Sequence, residues 1–300
     1  MQELSDKEWE SIQQYLKPGN LLGSGSFGAV YKAQFRSDPV AVKVMNVTDE
    51  KHMTRLQSAF NREIALHLHL RSPRLLHVIR VYRKSPYFAM VMEYMSENLK
   101  QLLYRLGTSL KADQRVSIAV QVVRSLVFLH KNDPPIAHRD IKPENVLVDS
   151  DSLTVKLADF GLSSLLETDR KESTGAVSVP RWGAVGSAAY MAPELFDSSL
   201  LLEHDVPAEF HSSTDLLRSD IFSLGVLLLE LFSGSPSGLA SKTYLEIAEF
   251  HMSGKKLGYT DRRLDPAESA VVVGLCLARA PRERPSIEEV LKVLEQLPSK

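Results

Sequence analysis

The stretch from Ala137 to Val148, Ala-His-Arg-Asp-Ile-Lys-Pro-Glu-Asn-Val-Leu-Val, constrains this chain more than any other. It sets a run of ionisable and amide side chains between a helical apolar pattern, Val116–His130, and an apolar run that ends at Val148. Charges placed that close to a core must reach water or be paired, because an unpaired buried charge is costly. Asp140 and Asn145 lie five residues apart (145 − 140) on what reads as a loop, with Lys142 between them. A second block, Val155-Lys156-Leu157-Ala158-Asp159-Phe160-Gly161, ends another apolar run on a carboxylate. Either block alone can be a solvated turn. Both in this order, separated by strand-like runs, argue for a site.

The pattern upstream is strand-like. Leu21-Leu22 leads into a glycine cluster, and Ala29–Phe35 and Val40–Val47 alternate or are β-branched, with Ser37-Asp38-Pro39 between them as a tight turn. Leu56, Phe60, Ile64 and Leu68 predict a helix from about Met53 to Leu70, and strands follow at Leu76–Tyr82 and Phe88–Glu93. Beyond Tyr94, Leu99–Leu106 and Val116–His130 read as amphipathic helices and Ser219–Phe232 as a buried one. Gly107-Thr108-Ser109 and Asp133-Pro134-Pro135 are breakers. The expectation is an α+β chain of two lobes: an N-terminal extension at 1–16, a small β-rich lobe at 17–95 and a larger helical lobe at 96–300, joined near Met95–Glu97. The segment Ser163–Gly186, rich in Ser, Thr and charge, reads as a long functional loop.

Gly23-Ser24-Gly25-Ser26-Phe27-Gly28 is a weak signal by itself, because the same spacing occurs in dinucleotide-binding turns and in ordinary glycine turns. A dinucleotide fold requires a helix directly after the third glycine. Ala29-Val30-Tyr31-Lys32-Ala33 is strand-like instead, which favours a strand–loop–strand flap whose amides cover phosphates. Lys43, inside Val40-Ala41-Val42-Lys43-Val44, is either an exposed edge-strand lysine or one held by an anion. Glu63, 63 − 43 = 20 residues later on the predicted helix, can supply that partner and hold the lysine against phosphates. Asp140 can accept the proton of a substrate hydroxyl, and Lys142 can neutralise charge on a transferred phosphoryl group. Asn145 and Asp159 offer hard oxygens to a magnesium ion.

With these blocks in place the chain resembles the eukaryotic protein kinase family over about Leu21–Leu297. Gly186-Ser187-Ala188-Ala189-Tyr190-Met191-Ala192-Pro193-Glu194 is similar to the segment closing the family's activation loop, and Ser219-Asp220-Ile221-Phe222-Ser223-Leu224-Gly225 to the start of its central helix. Arg284 matches the arginine that pairs with the glutamate corresponding to Glu194. The resemblance implies a bilobal kinase that transfers the γ-phosphoryl group of ATP, with Mg2+, to protein substrates. It implies Asp140, Lys142 and Asn145 as catalytic residues, and Asn145 and Asp159 as metal ligands. It further implies nucleotide contacts from Leu22, Gly23, Gly25, Gly28, Val30, Ala41, Lys43, Glu63, Met92, Glu93, Met95, Leu147 and Asp159. Met92 would be the gatekeeper behind the adenine, Glu93 and Met95 the backbone hydrogen-bonding edge, and Val30, Ala41 and Leu147 the walls.

Asp-Ile-Lys-Pro-Glu-Asn at 140–145 and Gly186-Ser187 are similar to serine/threonine kinases, and Gly274–Arg279 through Arg284-Pro285-Ser286 to the tyrosine-kinase-like branch, where some members have dual specificity. Arg139 before the aspartate resembles members switched by phosphorylation within Thr168–Ser178, by an upstream kinase or by autophosphorylation, with Thr168, Ser173, Thr174 and Ser178 as candidates. Two departures stand out. His67 occupies a position where the family usually has leucine or methionine in the stack joining its lobes, so it is expected either to titrate near neutral pH and loosen that stack or to sit as a satisfied core histidine. The Asp197–Arg218 segment is longer than the family norm and reads as a docking insert or an inert loop.

Composition bounds what remains. Net charge is −1 over 300 residues, which draws the chain to neither nucleic acid nor a membrane surface. The single Cys276 suits a reducing compartment, so a cytoplasmic location is expected, with the nucleus also open. The N-terminus is polar and acidic, unlike a signal peptide, and the apolar run Ile221–Phe232 is shorter than a membrane span. A pseudokinase scaffold is the alternative; the presence of Lys43, Asp140, Asn145 and Asp159 counts against it and His67 keeps it open.

Overall fold

A computed structural model describes residues 2–25, 28–46, 50–160, 163–165, 187–196, 213–255, 257 and 264–298. The chain divides into two compact units, Met1–Ser96 with Lys156–Gly161, and Glu97–Val155 with Leu162–Lys300. The return of Lys156–Gly161 to the first unit breaks the continuous second lobe expected at 96–300.

The first unit is a twisted sheet of six strands, β1 (Gln2–Glu3), β2 (Leu21–Gly25), β3 (Gly28–Phe35), β4 (Asp38–Asn46), β5 (Val78–Lys84) and β6 (Tyr87–Glu93), in the order β1-β5-β6-β4-β3-β2. Its pairings are antiparallel except that β1 runs parallel to β5. The turn expected at Ser37-Asp38-Pro39 falls earlier: Arg36 and Ser37 take positive φ, 52° and 73°, and Asp38 already pairs with Phe35. Two consecutive left-handed residues match the twist of the flanking strands, which is why a two-residue connection suffices. Strand β5 starts at Val78 rather than Leu76, because Leu76 instead donates its amide to Leu157 at 2.9 Å.

Helix α1 (Asp6–Gln13) is begun by a capping box between Ser5 and Glu8. It seats Trp9 and Ile12 in a cluster with Leu4, Phe35, Val42 and Val91, and the Trp9 ring stacks on Tyr82 at 4.6 Å. Residues read from sequence as an extension therefore cover part of the sheet. Helix α2 (Glu50–His69) buries Phe60, Glu63, Ile64, Leu66 and His67. Leu68, placed on the buried face by its four-residue spacing, is 40% exposed. Steps of four overshoot the 3.6-residue turn, so the apolar face drifts onto Leu66 and His67.

The second unit is mainly helical. It contains β7 (Glu97–Asn98), α3 (Leu99–Leu106), α4 (Ala112–His130), β8 (Ile136–Ala137), β9 (Val146–Val148), β11 (Ser164–Leu165), α5 (Ser213–Ser233), α6 (Tyr244–Met252), α7 (Ser269–Cys276) and α8 (Ile287–Leu294). The short strand β10 (Val155–Leu157) lies where the chain passes back to the first unit. Helix α5 starts six residues before the expected Ser219 and is almost wholly buried from Ser219 to Phe232. Its Gly225 allows close packing: a β-carbon there would lie 2.8 Å from Cys276 Cβ on α7. Among the described residues no helix is long and apolar enough to cross a membrane. The candidates Thr168, Ser173, Thr174 and Ser178, together with Ser26, Phe27, Gly161, Gly186 and residues 197–212 of the longer segment, lie outside the described residues.

Candidate active site

In the first unit the glycine cluster is a β-hairpin. Gly23 pairs with Val30, Ser24 with Ala29 and Gly25 with Gly28, and no helix follows, which excludes the dinucleotide turn. Gly28 has φ 135°, and a β-carbon there would collide with the Val44 carbonyl oxygen, so this position demands glycine twice over. Val30 stands opposite Lys43 and Ala41 opposite Met92, which brings the residues expected around a nucleotide into register on three adjacent strands. Leu22 is 42% exposed, Ala41 and Met92 are buried, and Met95 is half-buried.

Lys43 is not an exposed edge lysine. Its Nζ donates to both Glu63 oxygens, at 2.8 and 3.1 Å, and to Asp159 Oδ1 at 3.1 Å. Burial works against the ammonium, but the Asp159 and Glu63 carboxylates outweigh it and its pKa rises, so the lysine stays charged. Asp159 adopts φ 63° and keeps 39% of its side chain exposed, whereas Phe160 beside it is buried. His67 meets Phe160 edge-on, ring centroids 5.0 Å apart. Burial first, then the charge of Lys43, pushes this imidazole down to about 4. Of the two expectations for His67, the core histidine fits: the ring is buried, and desolvation opposes titration near neutral pH.

Glu93 has a role that the sequence did not disclose. Its amide donates to the His77 carbonyl at 3.0 Å, and its carboxylate accepts the His77 N–H and both contacts of Lys156 Nζ, each at 2.7 Å. Next to it, Lys32 Nζ lies 4.2 Å from the centroid of the Tyr94 ring.

In the second unit the loop 138–145 is held from below by Asp220. This carboxylate, 1% exposed on α5, accepts from the amides of His138 at 2.7 Å and Arg139 at 2.8 Å, and lies 2.9 Å from His130 Nε2. The anchoring accommodates the positive φ, 67°, of Arg139. Above it, Lys142 Nζ donates to Asp140 Oδ2 at 2.7 Å, and Asn145 Nδ2 donates to the Asp140 carbonyl and to Oδ2, both at 2.8 Å. Asp140, Lys142 and Asn145 are thus one cluster, and Leu147 follows on β9 opposite Asn98. The signal for Asp220 was an acid inside the apolar run of α5; only its partners, remote in sequence, were illegible.

The segment 187–196 is pinned to α5. Tyr190 Oη donates to Glu230 Oε2 at 2.8 Å, and Ser223 Oγ donates to the Tyr190 carbonyl at 2.8 Å. Burial, reinforced by Glu230, raises the Tyr190 pKa. The two Arg284 terminal nitrogens donate to Glu194 at 2.6 and 2.7 Å, a bidentate pair whose arginine is fully enclosed.

Residues 16–294 match the family described as protein kinase domain, and the chain belongs to that family. Its bilobal α+β architecture, a β-sheet lobe and a helical lobe, is that of the family. The chain is 32% identical over 280 residues to the serine/threonine-protein kinase CTR1 of Arabidopsis thaliana, covering 92% of this chain and 31% of CTR1. It is 29% identical over 296 residues to the serine/threonine-protein kinase VIK of the same plant, covering 97% of this chain and 62% of VIK. To the Arabidopsis calcium/calmodulin-regulated receptor-like kinase 1 it is 31% identical over 291 residues, covering 92% of this chain and 60% of that protein. The chain spans less than two thirds of each of these relatives. They agree with the tyrosine-kinase-like branch resembled by Gly274–Ser286.

Proposed function

We propose that this chain transfers the γ-phosphoryl group of ATP, with Mg2+, to serine or threonine hydroxyls of protein substrates. The observation that carries the reading furthest is Lys43, a charged ammonium held between Glu63 and Asp159 at 2.8 and 3.1 Å. A cation so braced is suited to an α,β-phosphate pair, and the glycine-bearing strands β2 and β3 are suited to offer amides to the same phosphates. Asp140 takes the hydroxyl proton as the hydroxyl oxygen forms its bond to the γ-phosphorus. The bond from phosphorus to the bridging oxygen breaks, and its electron pair leaves with ADP. Lys142, already paired to Asp140, is suited to offset charge on the phosphoryl oxygens.

The donor chemistry fits magnesium. Asn145 spends both amide hydrogens on Asp140, which leaves its Oδ1 as a neutral oxygen ligand. Asp159 adds an accessible anionic oxygen donor. Among the described residues no group of three or more His, Cys, Asp or Glu could hold a metal ion, and magnesium needs none: it takes one or two protein oxygens and completes its shell with phosphates and water. When bound it would neutralise phosphate charge.

Asp140-Ile141-Lys142-Pro143-Glu144-Asn145, and relatives named as serine/threonine kinases, support the acceptor class. Cys276, fully buried with its thiol pushed up to about 12 by burial, suits a reducing compartment such as the cytoplasm. A peptide array carrying Ser, Thr and Tyr acceptors, incubated with γ-labelled ATP and Mg2+, tests both parts. Label on Ser and Thr spots is expected; label confined to Tyr spots overturns the acceptor class.

A further inference from the structure

The first unit carries a second concave site, away from the Lys43 cluster. Its volume is about 710 Å³, within the range that holds one drug-sized molecule. The floor is apolar: Leu70, Leu75, Leu76 and Val78 are each 5% exposed or less, and Leu68 extends it to the surface. Gln2 of β1 closes one side, opposite Arg80 in register. The rim is cationic. Arg71, Arg80 and Lys156 line it, and the one carboxylate there, Glu93, is engaged by Lys156 at 2.7 Å from both oxygens. Among the described residues neither Arg71 nor Arg80 has an ion-pair partner; the Arg80 guanidinium donates to the Ile79 carbonyl at 2.8 Å and lies 6.0 Å from the centroid of the Phe35 ring. An apolar trough lined by two arginines that have no carboxylate partner among the described residues complements one chemistry, an apolar body with a single anionic head.

We infer that this groove binds a small amphiphilic organic anion, an acyl or aromatic carboxylate, and that its occupancy is felt at Phe160. His67 supplies the connection: it lines the groove and meets Phe160 edge-on at 5.0 Å, one residue from the Asp159 carboxylate that contacts Lys43. An occupant in contact with His67 restricts this ring and hence the Phe160 ring against it. Coupling of this kind requires contiguous contacts that differ between the empty and filled states, and the groove, His67 and Phe160 are contiguous.

The test is a binding measurement that needs no phosphoryl transfer, so it stands apart from the kinase reading. Laurate, kept below its micelle concentration, is titrated calorimetrically into the 300-residue chain and into Arg71→Glu/Arg80→Glu. Amide exchange is followed in parallel. One equivalent per chain is expected, weakened at least tenfold by the double charge reversal. Slowed exchange is expected in peptides covering Leu66–Arg80 and Lys156–Phe160, but not in Ala112–His130. Ser72→Trp, which fills the groove from its rim, should abolish the heat while the melting temperature stays near that of the wild type. Absence of saturable binding, or binding indifferent to both variants, or protection confined to other regions, overturns the inference.

Discussion

Asp220 holds two consecutive backbone amides of the loop that carries Asp140. One carboxylate, 1% exposed, accepts two consecutive amides and meets His130, so the 138–145 loop depends on it for the direction in which Asp140 emerges. Replacing it by Ala leaves two buried amides unsatisfied, at about 1–3 kcal/mol each. Asp220→Ala should therefore lower the apparent unfolding free energy by about 3–5 kcal/mol in urea, whereas Asp220→Asn, which keeps an acceptor, should lose about half of that. Equal losses for the two variants would contradict the role given to the acceptor. The buried histidines make a second prediction at this scale. His67 and His251 are both pushed from 6.5 down to about 4 by burial, with Lys43 and then Arg279 and Arg284 adding to the respective shifts. A base whose pKa is lower when folded binds more protons when unfolded. Its stabilisation is therefore whole above pH 6.5 and is lost as pH falls toward 4, on the order of 3 kcal/mol for each ring at the limit. The melting temperature should drop between pH 7 and pH 5, and His67→Leu with His251→Phe should flatten that drop. A slope unchanged in the double variant would mean that other groups set it.

At the scale of elements, periodicity located strands β3 to β6 and helices α2 to α5 but gave no reading of α1, α6, α7 and α8, and its misplacements have physical causes. The turn after β3 was misplaced by taking Pro39 as turn punctuation. Asp38 and Pro39 stand at the start of β4, where proline is tolerated, while Arg36 and Ser37 make the bend without glycine. The segment 1–16 was set apart because its polarity hides a two-residue strand and three buried anchors, Leu4, Trp9 and Ile12. Trp9 is 2% exposed and stacked on Tyr82, so Trp9→Ala should cost about 3–5 kcal/mol by cavity formation. A thermal melt would register this as a fall of several degrees. A variant as stable as the wild type would show that α1 contributes little to the sheet. The Gly28 prediction is local: Gly28→Ala forces a left-handed β-carbon into the Val44 carbonyl, and should weaken nucleotide binding more than Gly23→Ala, whose β-carbon meets nothing within 4 Å. Fluorescent ATP-analogue titrations of the two variants compare them directly, and equal losses would contradict the geometry.

For the whole molecule, legibility divides by distance in sequence. The Asp140, Lys142 and Asn145 cluster spans six residues, and its grouping could be read because spacing alone keeps such side chains together. The Lys43–Glu63 pair was legible because a strand followed by a helix has few ways to pack. Of the links over longer separations, Glu194–Arg284 was read through the family resemblance, whereas Asp220 to the 138–139 amides, Lys156 to Glu93, and His67 to Phe160 depend on tertiary packing that no local pattern encodes. The neutral state of His67 was illegible for the same reason, since it follows from burial rather than residue type. The proposed function assigns Asp140 to phosphoryl transfer and places the nucleotide on other residues. The most direct measurement compares γ-phosphoryl transfer to a Ser/Thr peptide with ATP-analogue affinity, in wild type and Asp140→Asn. Transfer by the wild type is expected, with a fall of roughly 10²–10⁴-fold in the variant and nucleotide affinity within about threefold of wild type. Equal transfer rates for the two proteins, or no transfer by either, would contradict it.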